Sequence, residues 1–245
     1  MFRHRGKGRS YSHNLRLASI LSCVAGLVNI TGLLALNTLT TNITGHFAFF
    51  SEQLFLSNYS RALTYLYYIL FFILGAFTSG FIIEYASKFR SHTSYVIPIS
   101  LEAVILFAIG LIPDYFLGPL SITIIISCTL LFAMGLQNAL VTKVSQSVVR
   151  TTHLTGLFTD LGIEFSQLFF YRQQCEKQKL HRSIFLKLMI VIGFFIGCII
   201  GALVFQYFHL RTLLLPGTLL FLALWYDHIL LRFYYTLRRR FRQDM

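Results

Sequence analysis

Charge is what this chain has least of. Asp, Glu, Lys and Arg make up 12% of its 245 residues, and only 9 of them are acidic against 21 basic. Soluble domains of this length carry about a quarter charged residues, so an ordinary soluble fold is excluded. Cysteine is scarce too: four residues, with no CxxC or other ligand spacing, which excludes a zinc ribbon or a disulfide framework. No phosphate-binding glycine loop, GxSxG, HExxH or paired histidine spacing occurs, so neither a metal nor a cofactor is indicated. The basic excess (+12) has no aromatic-interleaved domain around it, which argues against nucleic acid.

What remains is apolar. Hydrophobic residues account for 56% of the chain and the mean hydropathy is +0.66. Leu17–Ser51, Ala62–Ile83, Tyr115–Thr142 and Leu188–Phe208 contain no charged residue, while Ser94–Pro113 and Thr212–Leu231 contain one acid each. A bilayer-spanning helix needs about 20 apolar residues, so an all-α integral membrane protein with six spans is expected. The basic start, MFRHRGKGRSYSHNLR, runs into the first window without a small-residue cleavage site, and is read as an uncleaved first span. Cation-rich and cation-poor connections alternate: the N-terminus, Lys88 with Arg90, Lys143–Arg182 and the tail LRRRFRQDM are rich, the others poor. By the positive-inside rule both termini are cytoplasmic, in an inner membrane. The cations Arg238, Arg239, Arg240 and Arg242 are the expected contacts for anionic lipid headgroups.

One polar phrase occurs twice in this apolar setting. TTNITGHF (Thr40–Phe47) is answered by TTHLTGLF (Thr151–Phe158), and the agreement is colinear. Gly26–Asn29 (GLVN) matches Gly135–Asn138 (GLQN), Gly75 with Gly80 matches Gly193 with Gly197, and Pro98 matches Pro216. The charged YRQQCEKQK insert accounts for the longer second half. Two homologous units, 15–113 and 120–231, flanked by basic tails 1–14 and 232–245, are expected. Each holds three spans, so the second enters the membrane inverted, the layout of many secondary transporters. Thr, being β-branched, and Gly, being flexible, are poor material for a continuous helix. The stretches that follow, HFAFFSEQLFLS and LFTDLGIEFSQLFFYR, are amphipathic, and fit either re-entrant half-helices or helices lying flat at the interface.

The residues AGLVNITGL and, more specifically, MGLQNALVTKVSQSVVRTTHLTGLFTDLG resemble the YoaK-like family of bacterial multi-pass membrane proteins, whose biochemical role is unassigned. The resemblance implies a membrane protein and supplies no substrate. That family tends to have Asp where Asn29 stands and Asn where His46 stands, so Asn29 cannot couple to a proton by ionising.

Glu102 is the leading polar candidate, because it falls mid-span, where an acid costs about 2.5–3.5 kcal/mol. It is read either as a coupling carboxylate or as a neutral acid hydrogen-bonded between helices. Asn29, Gln137 and Asn138, with Thr44-Gly45 and Thr155-Gly156, complete the expected transport path. His46, Glu52, His153, Asp160 and Glu164 are secondary candidates. Glu84 and Asp227 are read as solvated span ends, within reach of Lys88 or Arg232. Gly193, Gly197 and Gly201 form a packing face, within the chain or between copies in a homo-oligomer. A small permease-like transporter or channel is expected; a membrane-embedded enzyme or a non-catalytic scaffold are the alternatives.

Overall fold

The computed structural model describes residues 11–89, 95–145, 149–170 and 174–226. Among these there are helices and no strand. The elements are α1 (Tyr11–Leu36), α2 (Ile43–Phe55), α3 (Tyr59–Phe89), α4 (Val96–Gly110), a 3-10 turn (Asp114–Leu117), α5 (Leu120–Ser145), α6 (Leu154–Phe170), α7 (Gln174–Phe208), a 3-10 turn (His209–Leu213) and helical residues 214–226, named α8. Four helical runs are long and apolar enough to cross a membrane: Asn14–Leu36, Tyr59–Lys88, Leu120–Ser145 and Gln174–Tyr226. The last is one run only in composition, because the chain turns at His209, whose φ of 46° lies in the left-handed region.

The window expected as span three is shorter than the others. Its helix, α4, has 15 residues, about 22 Å at 1.5 Å per residue. It stops at Gly110, where a Cβ would sit 2.9 Å from Leu214 Cδ2, and Pro113 follows two residues past the cap at Leu111.

α1 and α5 form the centre. In their apolar windows 67% and 56% of residues are buried, against 28% for α3 and 22% for the α7–α8 run. Leu17, Leu21, Val24 and Val28 of α1 and Leu130, Met134 and Leu140 of α5 are fully buried. The perimeter is apolar as well: Phe77, Phe81 and Tyr85 stack down the outside of α3, and Phe195 and Leu203 stand out from α7. An outward belt of this kind is stable only against lipid or another apolar surface. This is a membrane protein.

Glycine decides how closely the helices approach. A Cβ on Gly26 of α1 would overlap the carbonyl oxygen of Phe194 and lie 3.0 Å from the Cys198 amide nitrogen on α7. The same contact occurs between α5 and α3, where a Cβ on Gly135 would overlap the Phe72 carbonyl oxygen and lie 3.0 Å from the Ala76 amide. In return, Gly197 abuts the Cys23 carbonyl and Gly75 the Phe132 carbonyl. Gly75 therefore plays the part of Gly197, one turn beyond the expected match with Gly193, and Gly80 faces open space with nothing within 4 Å. The aligned spacing placed the glycines correctly on the helices but not in contact register.

Helix directions follow from the contacts. Gly193, Gly197 and Gly201 meet Ser22, Cys23 and Ile30 in the same order, so α1 and α7 run parallel. Gly75 meets Phe132, and further along Glu84 meets Lys143, so α3 and α5 also run parallel. Leu21, Gly32 and Thr38 of the first segment meet Gln137, Leu130 and Ser127 in reverse order, so α1 and α5 are antiparallel.

Candidate functional site

Each polar phrase folds back along the helix that precedes it. After α1 ends, Asn37 takes a left-handed φ of 50° and the Thr38 amide bonds back to the Gly32 carbonyl at 3.2 Å. The chain then descends until Thr41 donates to Asn29 Oδ1 through both its amide (3.2 Å) and its hydroxyl (2.9 Å). Asn29 lies two turns before the end of α1, so α2 begins about 10 Å below it. The second phrase repeats this: Thr152 Oγ1 donates to Asn138 Oδ1 at 2.7 Å, and Asn138 lies two turns before the end of α5 at Ser145.

The two breaks are tied to each other's supporting helices. Thr38 Oγ1 lies 3.2 Å from Ser127 Oγ on α5, and Gln137 Nε2 donates to the Leu21 carbonyl on α1 at 2.8 Å and to Thr151 Oγ1 at 3.4 Å. Irregular backbone away from water must find such partners, because an orphaned polar group costs several kcal/mol in hydrocarbon.

The amino ends of α2 and α6 open onto one cavity of about 870 Å³. Thr41–Gly45 and Thr152–Gly156 line it, with Ala48, Phe72, Asn138, Thr142, Arg150 and Thr159. Asn42 caps α2 by accepting from the Gly45 amide at 3.0 Å, and the Asn42 carbonyl takes the His46 amide. That leaves the Ile43 and Thr44 amides without an acceptor among the described residues. At α6 the His153 carbonyl takes the Leu157 amide, and none of the bonds between described residues reaches the amides of Leu154, Thr155 or Gly156. Threonine hydroxyls and unpaired N–H groups thus supply the polar part of a wall whose larger part is apolar. It carries one guanidinium, Arg150, which has no carboxylate within ion-pair distance among the described residues, and no acid.

Of the expected path, Asn138, Thr44, Gly45, Thr155 and Gly156 line this cavity, and so does His153. Asn29 is one bond away through Thr41, and Gln137 sits behind the wall on Leu21 and Thr151. Glu102 is not in the lining. It is 1% exposed within α4, among core residues, and its Oε1 has no partner. Asp160 and Glu164 are also elsewhere: Lys187 Nζ of α7 lies 2.7 Å from Glu164 and 3.4 Å from Asp160, and Ser183 Oγ donates to Glu164 at 2.6 Å. Glu84 pairs with Lys143 at 2.7 Å.

His46 is a structural residue. It is 2% exposed, its Nε2 lies 2.7 Å from the Leu39 carbonyl, and its ring packs on Tyr65 and Tyr68 of α3. Burial pushes its imidazole below the ordinary histidine pKa, and the Leu39 bond offsets part of that. Glu52 is exposed near the far end of α2. Arg150 and Thr142 were missed by the sequence reading, which counted Arg150 only as a loop cation; its place directly before Thr151-Thr152 was the available signal. Asp227 and the cations Arg238, Arg239, Arg240 and Arg242 lie outside the described residues.

A family model described as "protein of unknown function (DUF1275)" matches residues 17–226, which takes in the whole cavity wall. The chain belongs to that family. No curated protein and no solved structure gives a significant match to this DUF1275 chain. Both Thr-Gly phrases and both asparagines that hold them fall inside the DUF1275 match.

Proposed function

We propose that this chain is a permease-like transporter of a small solute bearing an anionic or strongly electron-rich oxygen, built from two inverted three-span units around the central cavity. The carrying observation is that two copies of one polar phrase, far apart in sequence, line a single cavity with the amino ends of α2 and α6. Each helix amino end contributes roughly half a positive charge, and its free N–H groups are ready donors to an anion. Arg150 adds a full charge, and no acid opposes it in the lining. A solute without acceptors would leave those donors unpaired.

Several features support the inverted arrangement. The Asn–Thr clasp and the glycine contact each occur twice with the halves exchanged. The parallel α1/α7 and α3/α5 pairs, with α1 and α5 antiparallel, are what two three-span units of opposite sense require. The starts of α2 and α6, two turns inside the ends of α1 and α5, favour re-entrant half-helices over flat interfacial ones. On this reading the six spans are α1, α3, α4, α5, α7 and α8, in a bacterial inner membrane with both termini cytoplasmic, and the YoaK-like resemblance fits the same class.

The cavity is lopsided, which favours a gated permease over a continuous pore. Asn138 and Thr142 of α5 line it, but their counterparts Asn29 and Leu33 of α1 do not. It therefore leans toward the carboxyl end of α5. The enzyme alternative loses its constellation, because Lys187 draws Asp160 and Glu164 away from His153.

The test is flux in proteoliposomes with a panel of small organic and inorganic anions, comparing wild type, Arg150→Gln and Asn138→Leu. At least one anion should accumulate above empty vesicles, with Arg150→Gln slowing it at least tenfold. Flux equal to empty vesicles across the panel sinks the proposal, and so does flux of neutral solutes that Arg150→Gln leaves unchanged.

A further inference from the structure

A second recess, with no lining residue in common with the first, lies where the amino ends of α1 and α7 meet. It has a volume of about 430 Å³ and is lined by Tyr11 of α1 and by His181, Arg182, Ile184, Phe185 and Leu188 of α7, with Gln178 above them. The Arg182 guanidinium stands 5.9 Å over the Tyr11 ring. Cations over aromatic rings are held by the ring quadrupole, so Arg182 is positioned but not neutralised. Among the described residues no carboxylate lies within ion-pair distance of it.

The depth of this recess is fixed by helix length. The uncharged stretch Leu188–Phe208 is about 30 Å long, the thickness of a hydrocarbon core. The part of α7 before it, from Gln174, therefore projects about 20 Å beyond the core. Leu188 and Phe185 lie at the hydrocarbon edge, and Arg182, His181 and Gln178 lie in the headgroup zone. The slot itself is thus an almost wholly apolar groove, with the Arg182 guanidinium held over Tyr11 at its edge, across the boundary where a phospholipid has the same division.

We infer that this recess binds one anionic phospholipid, its phosphate at Arg182 and an acyl chain along Ile184, Phe185 and Leu188. Other charges nearby are mostly of the same sign: Lys177, Lys179 and Arg16 are exposed, against Glu176 alone. Lys187 is occupied with Glu164 and Asp160. The chain's own terminal segments are poor rivals for the slot. Residues 1–10 carry Arg3, Arg5, Lys7 and Arg9, and the tail carries LRRRFR, so Arg182 repels both. A negative headgroup is attracted by the exposed cations Arg16, Lys177 and Lys179 as well as by Arg182.

The test titrates the full chain, delipidated in a neutral detergent, with phosphatidylglycerol, with phosphatidylcholine of identical acyl chains, and with inorganic phosphate, counting bound molecules by native mass spectrometry. Phosphatidylglycerol should bind at least tenfold more tightly than phosphatidylcholine. Arg182→Gln should cut that preference at least fivefold, Arg182→Lys should keep most of it, and Phe185→Gln should weaken both lipids. Equal retention of the two lipids by wild type, or an unchanged preference in Arg182→Gln, overturns the inference. Displacement of the lipid by millimolar phosphate alone also overturns it, since the acyl contacts would then count for nothing. An independent arm places a photo-crosslinking phenylalanine analogue at position 185. Capture of lipid supports the site, and a crosslink to residues 1–10 or 227–245 refutes it.

Discussion

Gly75 and Gly80 lie on one helix, five residues apart, and should respond to alanine with opposite signs. At Gly80 a Cβ meets nothing within 4 Å. Alanine there removes the conformational freedom of glycine, which is worth up to about 1 kcal/mol in favour of the helix. At Gly75 the new Cβ overlaps the Phe132 carbonyl oxygen and lies 3.0 Å from Phe132 Cα. Carbon contacts relax near 3.5–4.0 Å, so α3 must retreat from α5 by on the order of 1 Å along its whole glycine face. Because the clash is with backbone, no rotamer relieves it, and the cost is about 1–3 kcal/mol of overpacking. The two variants should therefore differ by about 2–4 kcal/mol. For a chain of this size that separates their midpoints by roughly 4–16 °C. Heating detergent-solubilised protein and following the monodisperse fraction by size-exclusion chromatography reads the difference directly. Gly197→Ala should match Gly75→Ala, since it abuts the Cys23 carbonyl in the same way. If Gly75→Ala melts with Gly80→Ala, the close α3–α5 contact described above does not exist.

Lys187→Met should destabilise the chain by about 2 kcal/mol, because Glu164 and Lys187 are only 14% and 16% exposed and the change strands a carboxylate beside Asp160. Adding Glu164→Gln should recover at least half of that loss in the same melting assay, and strictly additive losses would show that the two side chains do not interact. The lowered His46 pKa predicts that stability is complete above about pH 6.5 and declines as the pH falls toward the folded value, since the unfolded chain takes up a proton that the buried ring does not. Melting curves at pH 7.5 and 5.5 should show this for wild type and a flatter response for His46→Gln, and an identical slope in both would refute it.

The membrane class and the two polar phrases could be read from the sequence because both depend on local pattern. Uncharged windows identify lipid-embedded helices, and a repeated Thr-Gly phrase after a repeated GLxN points to one local structure made twice. The cavity that joins the phrases was expected only in outline. Arg150 looked like any loop cation, because its role comes from the chain folding back along α5 rather than from its neighbours in sequence. Glu102 drew attention by its rarity, and α4 turns it into the core as a mid-span acid should be turned, but not toward the cavity. The Lys187–Glu164 pair was invisible for a related reason: Glu164 and Asp160 share a helical face, but only the packing of α6 on α7 supplies their cation. The glycine register failed by one turn because sequence matching had no contact to anchor it.

Gly26 reaches its partner only when Phe194 has been made, and Gly75 must wait for Phe132. During synthesis α1 thus stands in the bilayer with its notch empty while about three quarters of the remaining chain is translated. Neither half can be completed from its own residues, so cutting the gene between them should yield two fragments that become stable only together.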